Sequence, residues 1–202
     1  MVFTDPTGET VYLVTYTAGN TEGDAEFKRA AETLAEEIRN RKGYDPQKDT
    51  VLVKGVTTTN DFAAALKEAS GLEKTFGKIG ELALFSHGGP KDGPTFHGQI
   101  KHLFQAQLNA MPTANWEAGA SAMFYACNSG QRFAQKFANA QGVTTYGYPT
   151  SGALSSRPDR WERIGETGPV YMVGVAASPR TMPFLGPASS QRVPMVQRDP
   201  MP

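Results

Sequence analysis

One cysteine and three histidines (Cys127, His87, His97 and His102) are the groups in this 202-residue chain best suited to covalent and acid–base chemistry near neutral pH. A thiol becomes a useful nucleophile when a neighbouring base can take its proton. Cys127 and His87 are the pair whose surroundings suit that task, because each directly follows a short apolar run. Leu82-Ala83-Leu84-Phe85-Ser86 closes on His87-Gly88-Gly89, and Ala122-Met123-Phe124-Tyr125-Ala126 closes on Cys127-Asn128-Ser129-Gly130. Runs of this kind, ended by glycine-bearing turns, read as buried strands of an α/β sheet. Ligands of open α/β sheets sit outside the carboxyl ends of the strands. If the two runs are adjacent and parallel, an imidazole and a thiol arrive at the same edge. A helix over Gln131–Ala140, capped by Asn128 or Ser129, would add the positive end of its dipole, which favours a thiolate.

The elements needed to position this pair can be read in order. Val11–Val14 is a first strand, followed by a polar turn, Ala18 to Gly23. Asp24 is placed to cap a helix to about Arg41, with Phe27, Ala31, Leu34 and Ile38 on one face. Gly43 ends that helix, and Val51–Val53 is a second strand. A second helix, capped by Asn60 or Asp61, carries Phe62, Ala65, Leu66 and Ala69 to about Leu72. After the His87 strand comes a Gly/Pro-rich loop and a helix from about Gln99 to Ala110. Fifth and sixth strands are expected at Val143–Tyr148 and Val170–Val175. Strands alternating with helices predict a three-layer α/β sandwich: a mainly parallel sheet of about six strands with helices on both faces. The last 25 residues, 178–202, hold six prolines and little apolar periodicity, so an irregular tail is expected there, disordered or extended over the domain.

Composition narrows the function further. Twenty Lys and Arg balance twenty Asp and Glu, which leaves no strong field for nucleic acid or an anionic membrane. No apolar run approaches the roughly 20 residues of a membrane helix. Residues 1–10 show no basic segment followed by an apolar one, so no signal peptide is expected at this end. A single cysteine excludes an internal disulfide and a four-cysteine metal centre. The histidine spacing fits neither a helical His-Glu-x-x-His pair nor a zinc ribbon, so no metal and no other cofactor is expected.

Strand–His87–Gly88 followed some forty residues later by strand–Ala126–Cys127 resembles the caspase-like (clan CD) cysteine peptidases. That group includes caspases, gingipains, separase-type and CHAT domains, and the self-processing domains of large bacterial toxins. His before Cys fits the group and differs from papain-like enzymes, where Cys comes first. The resemblance implies a caspase-like fold over residues 11–177, with Cys127 attacking a peptide carbonyl and His87 protonating the leaving amine. It also implies an oxyanion hole built from the N–H groups of Gly88 and Cys127. The family works largely as a dyad, so Asp92, the carboxylate nearest in sequence to His87, reads as a solvated loop residue, and His97 and His102 as surface or helix residues. Loops over Thr17–Asp24, Asn128–Gly130 and Tyr148–Arg163 would wall the specificity pocket, with Asn128 and Ser129 in contact with substrate. Asp159 or Glu162 would select Lys or Arg before the cleaved bond, and Arg157 or Arg160 would select Asp; charge does not decide between them. No processing site that would split the chain in two is evident.

Thr4-Asp5-Pro6-Thr7-Gly8-Glu9 is similar to the junction that precedes the variable C-terminal toxin of Rhs-type polymorphic toxins. That likeness implies a parent Rhs-type polypeptide, type VI secretion in bacterial competition, and an immunity protein as partner. Residues 1–10 would then be the junction, and target proteins would be cleaved in the recipient cytoplasm, where a thiol stays reduced. As plain chemistry, Asp-Pro-Thr-Gly is also an ordinary turn. Two other readings are weighed against the peptidase. One is a caspase-like binding module without catalysis. The other takes Thr15-Tyr16-Thr17-Ala18-Gly19-Asn20-Thr21 as similar to the phosphate-binding loop of FMN-binding flavodoxins. Ala18 interrupts the Thr-Gly pairing of that loop, and the His87/Cys127 coincidence is left without a role.

Overall fold

The structure, a computed structural model, describes residues 9–19, 23–89, 93–96, 101–102, 105–176 and 192–201. Twelve strands and five helices run in the order β1(Thr10–Thr17), α1(Asp24–Arg39), β2(Thr50–Val56), α2(Thr59–Gly71), α3(Glu73–Phe76), β3(Lys78–Phe85), β4(His87–Gly89), β5(Gly93–Phe96), β6(Lys101–His102), α4(Gln105–Ala110), β7(Trp116–Tyr125), α5(Arg132–Gln141), β8(Thr144–Gly147), β9(Ser151–Ser155), β10(Tyr171–Val175), β11(Arg192–Val193) and β12(Val196–Arg198). The main sheet has the order β12-β8-β7-β3-β1-β2. Its first five strands in sequence, β1, β2, β3, β7 and β8, are parallel, and only β12 runs antiparallel. This is the α/β three-layer sandwich that the strand–helix alternation predicts.

Two apolar layers explain the arrangement. On one face, Val11, Leu13, Leu82, Leu84, Ala122 and Phe124 pack against Phe62, Leu66 and Ala69 of α2, Leu108 of α4, and Phe133 and Phe137 of α5. On the other, Val14, Ala83 and Phe85 pack against Phe27, Ala30, Ala31, Leu34 and Ile38 of α1. Fully burying side chains of this size contributes about 1.5–3 kcal/mol each, so the apolar stripes of α1 and α2 fix the helices on their faces. Strands buried on both sides need no alternation, which is why Leu82–Phe85 is a continuous apolar run.

Several boundaries differ from expectation. Gly23, in the left-handed region at φ 100°, is the N-cap of α1, and Asp24 is its first helical residue. The helix ends at Arg39, before Gly43. Thr58, rather than Asn60 or Asp61, caps α2: its hydroxyl accepts from Asp61 N–H while the Asp61 carboxylate accepts from Thr58 N–H. Lys101–His102 is a strand where a helix was expected, and α4 is only six residues long. The Gly/Pro-rich loop folds into the small antiparallel sheet β4-β5-β6. The largest correction concerns the sixth strand. Tyr171–Val175 (β10) is outside the main sheet and pairs with β9 and β11, while the edge position is filled by β12 from the Pro-rich tail. The described part of that tail is therefore paired, because Arg192–Val193 and Val196–Arg198 satisfy open strand edges. Residues 177–191 lie outside the described residues, as does the Thr4–Gly8 junction.

Candidate active site

Register brings the ends of the two strands that precede the candidate residues side by side. β3 and β7 are neighbours, paired in parallel from Glu81↔Ser121 to Phe85↔Tyr125. The Phe85 and Tyr125 rings stack with centroids 4.4 Å apart and planes 5° from parallel. His87 and Cys127 each follow two residues beyond that stacked pair, His87 as the first residue of β4 and Cys127 in the turn after β7. The stacked pair lies on the face covered by α1. The His87 imidazole, exposed to solvent, meets the Phe27 ring edge-on with centroids 4.9 Å apart. Its Nε2 would lie 3.4 Å from a Cβ placed on Gly23. The residue that caps α1 is thus small where the imidazole passes.

The Cys127 thiol, half-buried, turns towards β9. Sγ accepts from Gly152 N–H at 3.2 Å, and the S–H is directed at Gly152 O, 3.5 Å away. Among the described residues, Gly152 is the hydrogen-bond partner of this sulfur. β9 was not anticipated as a strand. Ser-Gly-Ala-Leu-Ser has no hydrophobic alternation, and its strand character comes from pairing with the Val-rich β10. The sequence signal that could have found Gly152 is its position in the Tyr148–Arg163 wall, three residues after Pro149.

The turn after Cys127 is built by main-chain bonds. Asn128 adopts φ 57°, a region Asn tolerates better than most residues. Asn128 N–H donates to Thr150 O at 2.7 Å and Gly130 N–H to Tyr148 O at 2.9 Å. Ser129, fully buried, lies 2.8 Å from both Phe124 O and Ala126 O through Oγ, which also accepts from Tyr148 N–H at 3.2 Å. The Ser129 hydroxyl, expected to contact substrate, is engaged in holding the turn. The expected cap is corrected. α5 starts at Arg132 with Gln131 as N-cap and no side-chain cap, so the turn 127–131 separates the thiol from the helix terminus. The Tyr148 hydroxyl donates to Met172 O. Burial, then Tyr125, pushes the pKa of this hydroxyl well above its ordinary value, against the pull of Arg192.

Gly88 crosses directly over Cys127. A Cβ placed there would lie 2.8 Å from Cys127 N and 3.0 Å from Cys127 C, and closer still to Cys127 O. Glycine is needed because two main chains meet, one from each strand. Among the described residues, no backbone carbonyl is bonded to Cys127 N–H.

The remaining candidates fall away from this edge or are already paired. Asp159 bonds to Arg157 at 3.4 Å and Arg160 at 3.1 Å, and Arg160 lies 3.6 Å from Glu162, all on exposed side chains. Ser155 Oγ organises the same loop, donating to Arg160 O and accepting from Arg157 and Glu162 N–H. Both charge signs are mutually compensated there, so neither an acidic nor a basic pocket is distinguished. Asn128 Oδ1 accepts from Gln131 Nε2 at 3.1 Å. Asp92, His97, and Asn20 and Thr21 of the flavodoxin-like turn lie outside the described residues; His102 is placed on β6 by its backbone. Among the described residues no group of three or more His, Cys, Asp or Glu is arranged to hold a metal ion, and no helix is long and apolar enough to cross a membrane. A cleft of about 610 Å³ lies elsewhere, between α1 and residues 168–171. Its Glu32 and Glu36 pair with Lys28 and Arg39, and its Arg29 donates to Gly165 O and Gly168 O. Its lining includes neither cysteine nor histidine. No family model matches the chain, and no curated protein matches it.

Proposed function

We propose that this chain is a cysteine peptidase of the caspase-like type, with Cys127 as nucleophile and His87 as general acid–base. The observation that carries the reading is the shared edge: His87 and Cys127 each follow by two residues the ends of adjacent, in-register parallel strands, at the carboxyl end of the sheet. In this mechanism the thiolate attacks the substrate carbonyl carbon and the C–N bond breaks. The imidazolium gives its proton to the departing amine, and water then hydrolyses the thioester. Cys127 N–H, with no backbone acceptor among the described residues, is one donor for the carbonyl oxygen as it becomes negative, with Gly88 N–H as the second. The imidazole must reach the substrate nitrogen, and it is exposed at this edge beside Phe27.

The same reading places the chain in a larger secreted effector, from the Asp5-Pro6-Thr7-Gly8 junction. Target-cell proteins are its substrates, and an immunity protein is the partner that would cover its site. The test is a peptidyl acyloxymethyl ketone, an electrophile that needs both a peptide-binding edge and an activated thiol. Labelling is expected at Cys127 in the wild type, none in Cys127→Ala, and at least about 10²-fold slower labelling in His87→Ala. Equal labelling of wild type and His87→Ala would remove the imidazole from the mechanism. A wild type that resists the probe while its reduced thiol reacts with iodoacetamide would favour the binding module.

A further inference from the structure

The C-terminal segment touches both sides of the Cys127 turn. β11 pairs Val193 with Gly174 and Arg192 with Val175 of β10. β10 in turn carries β9, whose Gly152 holds Sγ. Three residues later β12 pairs Val196, Gln197 and Arg198 with Gly147, Tyr146 and Thr145 of β8. Here Val196 presses on the turn itself: a Cβ on Gly130 would lie 2.6 Å from Val196 Cγ2. Gly147, opposite Val196, is equally close to Ser129, since a Cβ on it would lie 2.7 Å from Ser129 Oγ. One segment thus backs the turn that follows Cys127 and the sheet that faces its thiol.

Its attachment is local: Met195, half-buried, packs against the apolar layer under α1, and the remaining contacts are polar. Asp199 Oδ1 accepts from Thr144 Oγ1 at 2.9 Å and from Gln197 Nε2 at 3.0 Å, and Asp199 O accepts from Gln135 Nε2 at 2.8 Å. Tyr146 OH donates to Gln197 Oε1 at 3.1 Å, and Met201 N–H to Asn139 Oδ1 at 3.0 Å. These contacts tie the segment to α5 and β8, the two elements that follow the Cys127 turn. Short edge strands with few buried apolar groups belong to the low-stability end of a fold, and can open without global unfolding.

We propose that residues 192–201 form a strap whose seating on β8 and β10 holds the Cys127 turn in place, so that releasing it switches the site from ordered to loose. As regulation of a peptidase this rests on Cys127 being the nucleophile. The strap itself is read without reference to cleavage. The experiment is residue-resolved amide hydrogen exchange on the full chain, comparing wild type with Val196→Asp and with Asp199→Ala. Exchange at Asn128 and Gly130 is expected to accelerate about tenfold or more in each variant, with Val14 and Leu84 keeping wild-type protection. Acceleration confined to residues 145–147 and 192–201, with wild-type rates at Asn128 and Gly130, would overturn the proposal. Should Val196→Asp lose its fold, the exposed Asp199→Ala decides by the same criterion. Release of Asn128 and Gly130 in a chain that never labels with the peptidyl probe would leave the strap standing and refute the peptidase.

Discussion

Gly88→Ala tests the geometry at its tightest point. The added methyl would sit 2.8 Å from Cys127 N and closer to Cys127 O, where ordinary van der Waals contact begins at 3.4 Å. Both obstacles are main chain, so no side chain can rotate away. Relief requires the extensions of β3 and β7 to part by about 1 Å, and overpacking on that scale costs about 1–3 kcal/mol. A displacement of 1 Å at a reacting centre costs about 10²-fold in rate. The expected outcome is a lowered urea midpoint with unchanged slope, together with probe labelling of Cys127 at least ~10²-fold slower. Thermal circular dichroism separates the two effects, since labelling is measured well below the transition. Wild-type stability and wild-type labelling together would show that the main chains do not cross as described. The oxyanion-hole assignment would fall with that crossing.

Other consequences are checked by similar means. Ser129→Ala removes the bonds to Phe124 O and Ala126 O and the acceptor for Tyr148 N–H, in a fully buried place. It should cost about 1–3 kcal/mol in a urea titration, whereas a residue that only touched substrate would leave stability unchanged. At the α2 capping box, Thr58→Ala should cost about 1 kcal/mol. Burial works against the Asp61 charge, but bonds from Thr58 N–H, the Thr58 hydroxyl and Thr57 N–H outweigh it and hold the carboxyl below its ordinary value of 3.8. A folded-state pKa lowered in this way stabilises above the unfolded value and loses that contribution as pH falls through the folded value. Asp61→Asn should therefore narrow its stability gap to wild type as the pH drops below about 3.8; a constant gap would refute the assignment.

The two strands that carry the candidate residues were legible because each is a short, continuous apolar run. Leu82–Phe85 and Ala122–Phe124 could only be buried strands, and parallel pairing then fixed where His87 and Cys127 emerge. The roles of Ser129 and Gly152 were not legible, since both depend on long-range partners. Ser129 Oγ is needed by Tyr148 N–H, 19 residues away, and Gly152 meets Sγ from 25 residues away. The sixth strand of the main sheet was assigned to the wrong segment for the same reason. Val170–Val175 has stronger strand character than Val196–Arg198, yet β8 is completed by the latter. Among the described residues, Gln135, Asn139 and Thr144 supply polar anchors that reach the tail and that no local pattern reveals. The α1 cap was missed by one residue, where a left-handed glycine takes the place expected of Asp24, and the α2 cap by two or three, where a capping box starts at Thr58.

The most direct test of the central claim is a proteome-wide comparison of new protein N-termini in lysate treated with wild type or with Cys127→Ala, under reducing conditions. The account predicts termini that appear only with wild type and share one residue type before the cut. Identical termini in both samples, with the Cys127 thiol shown to be reduced, would contradict it.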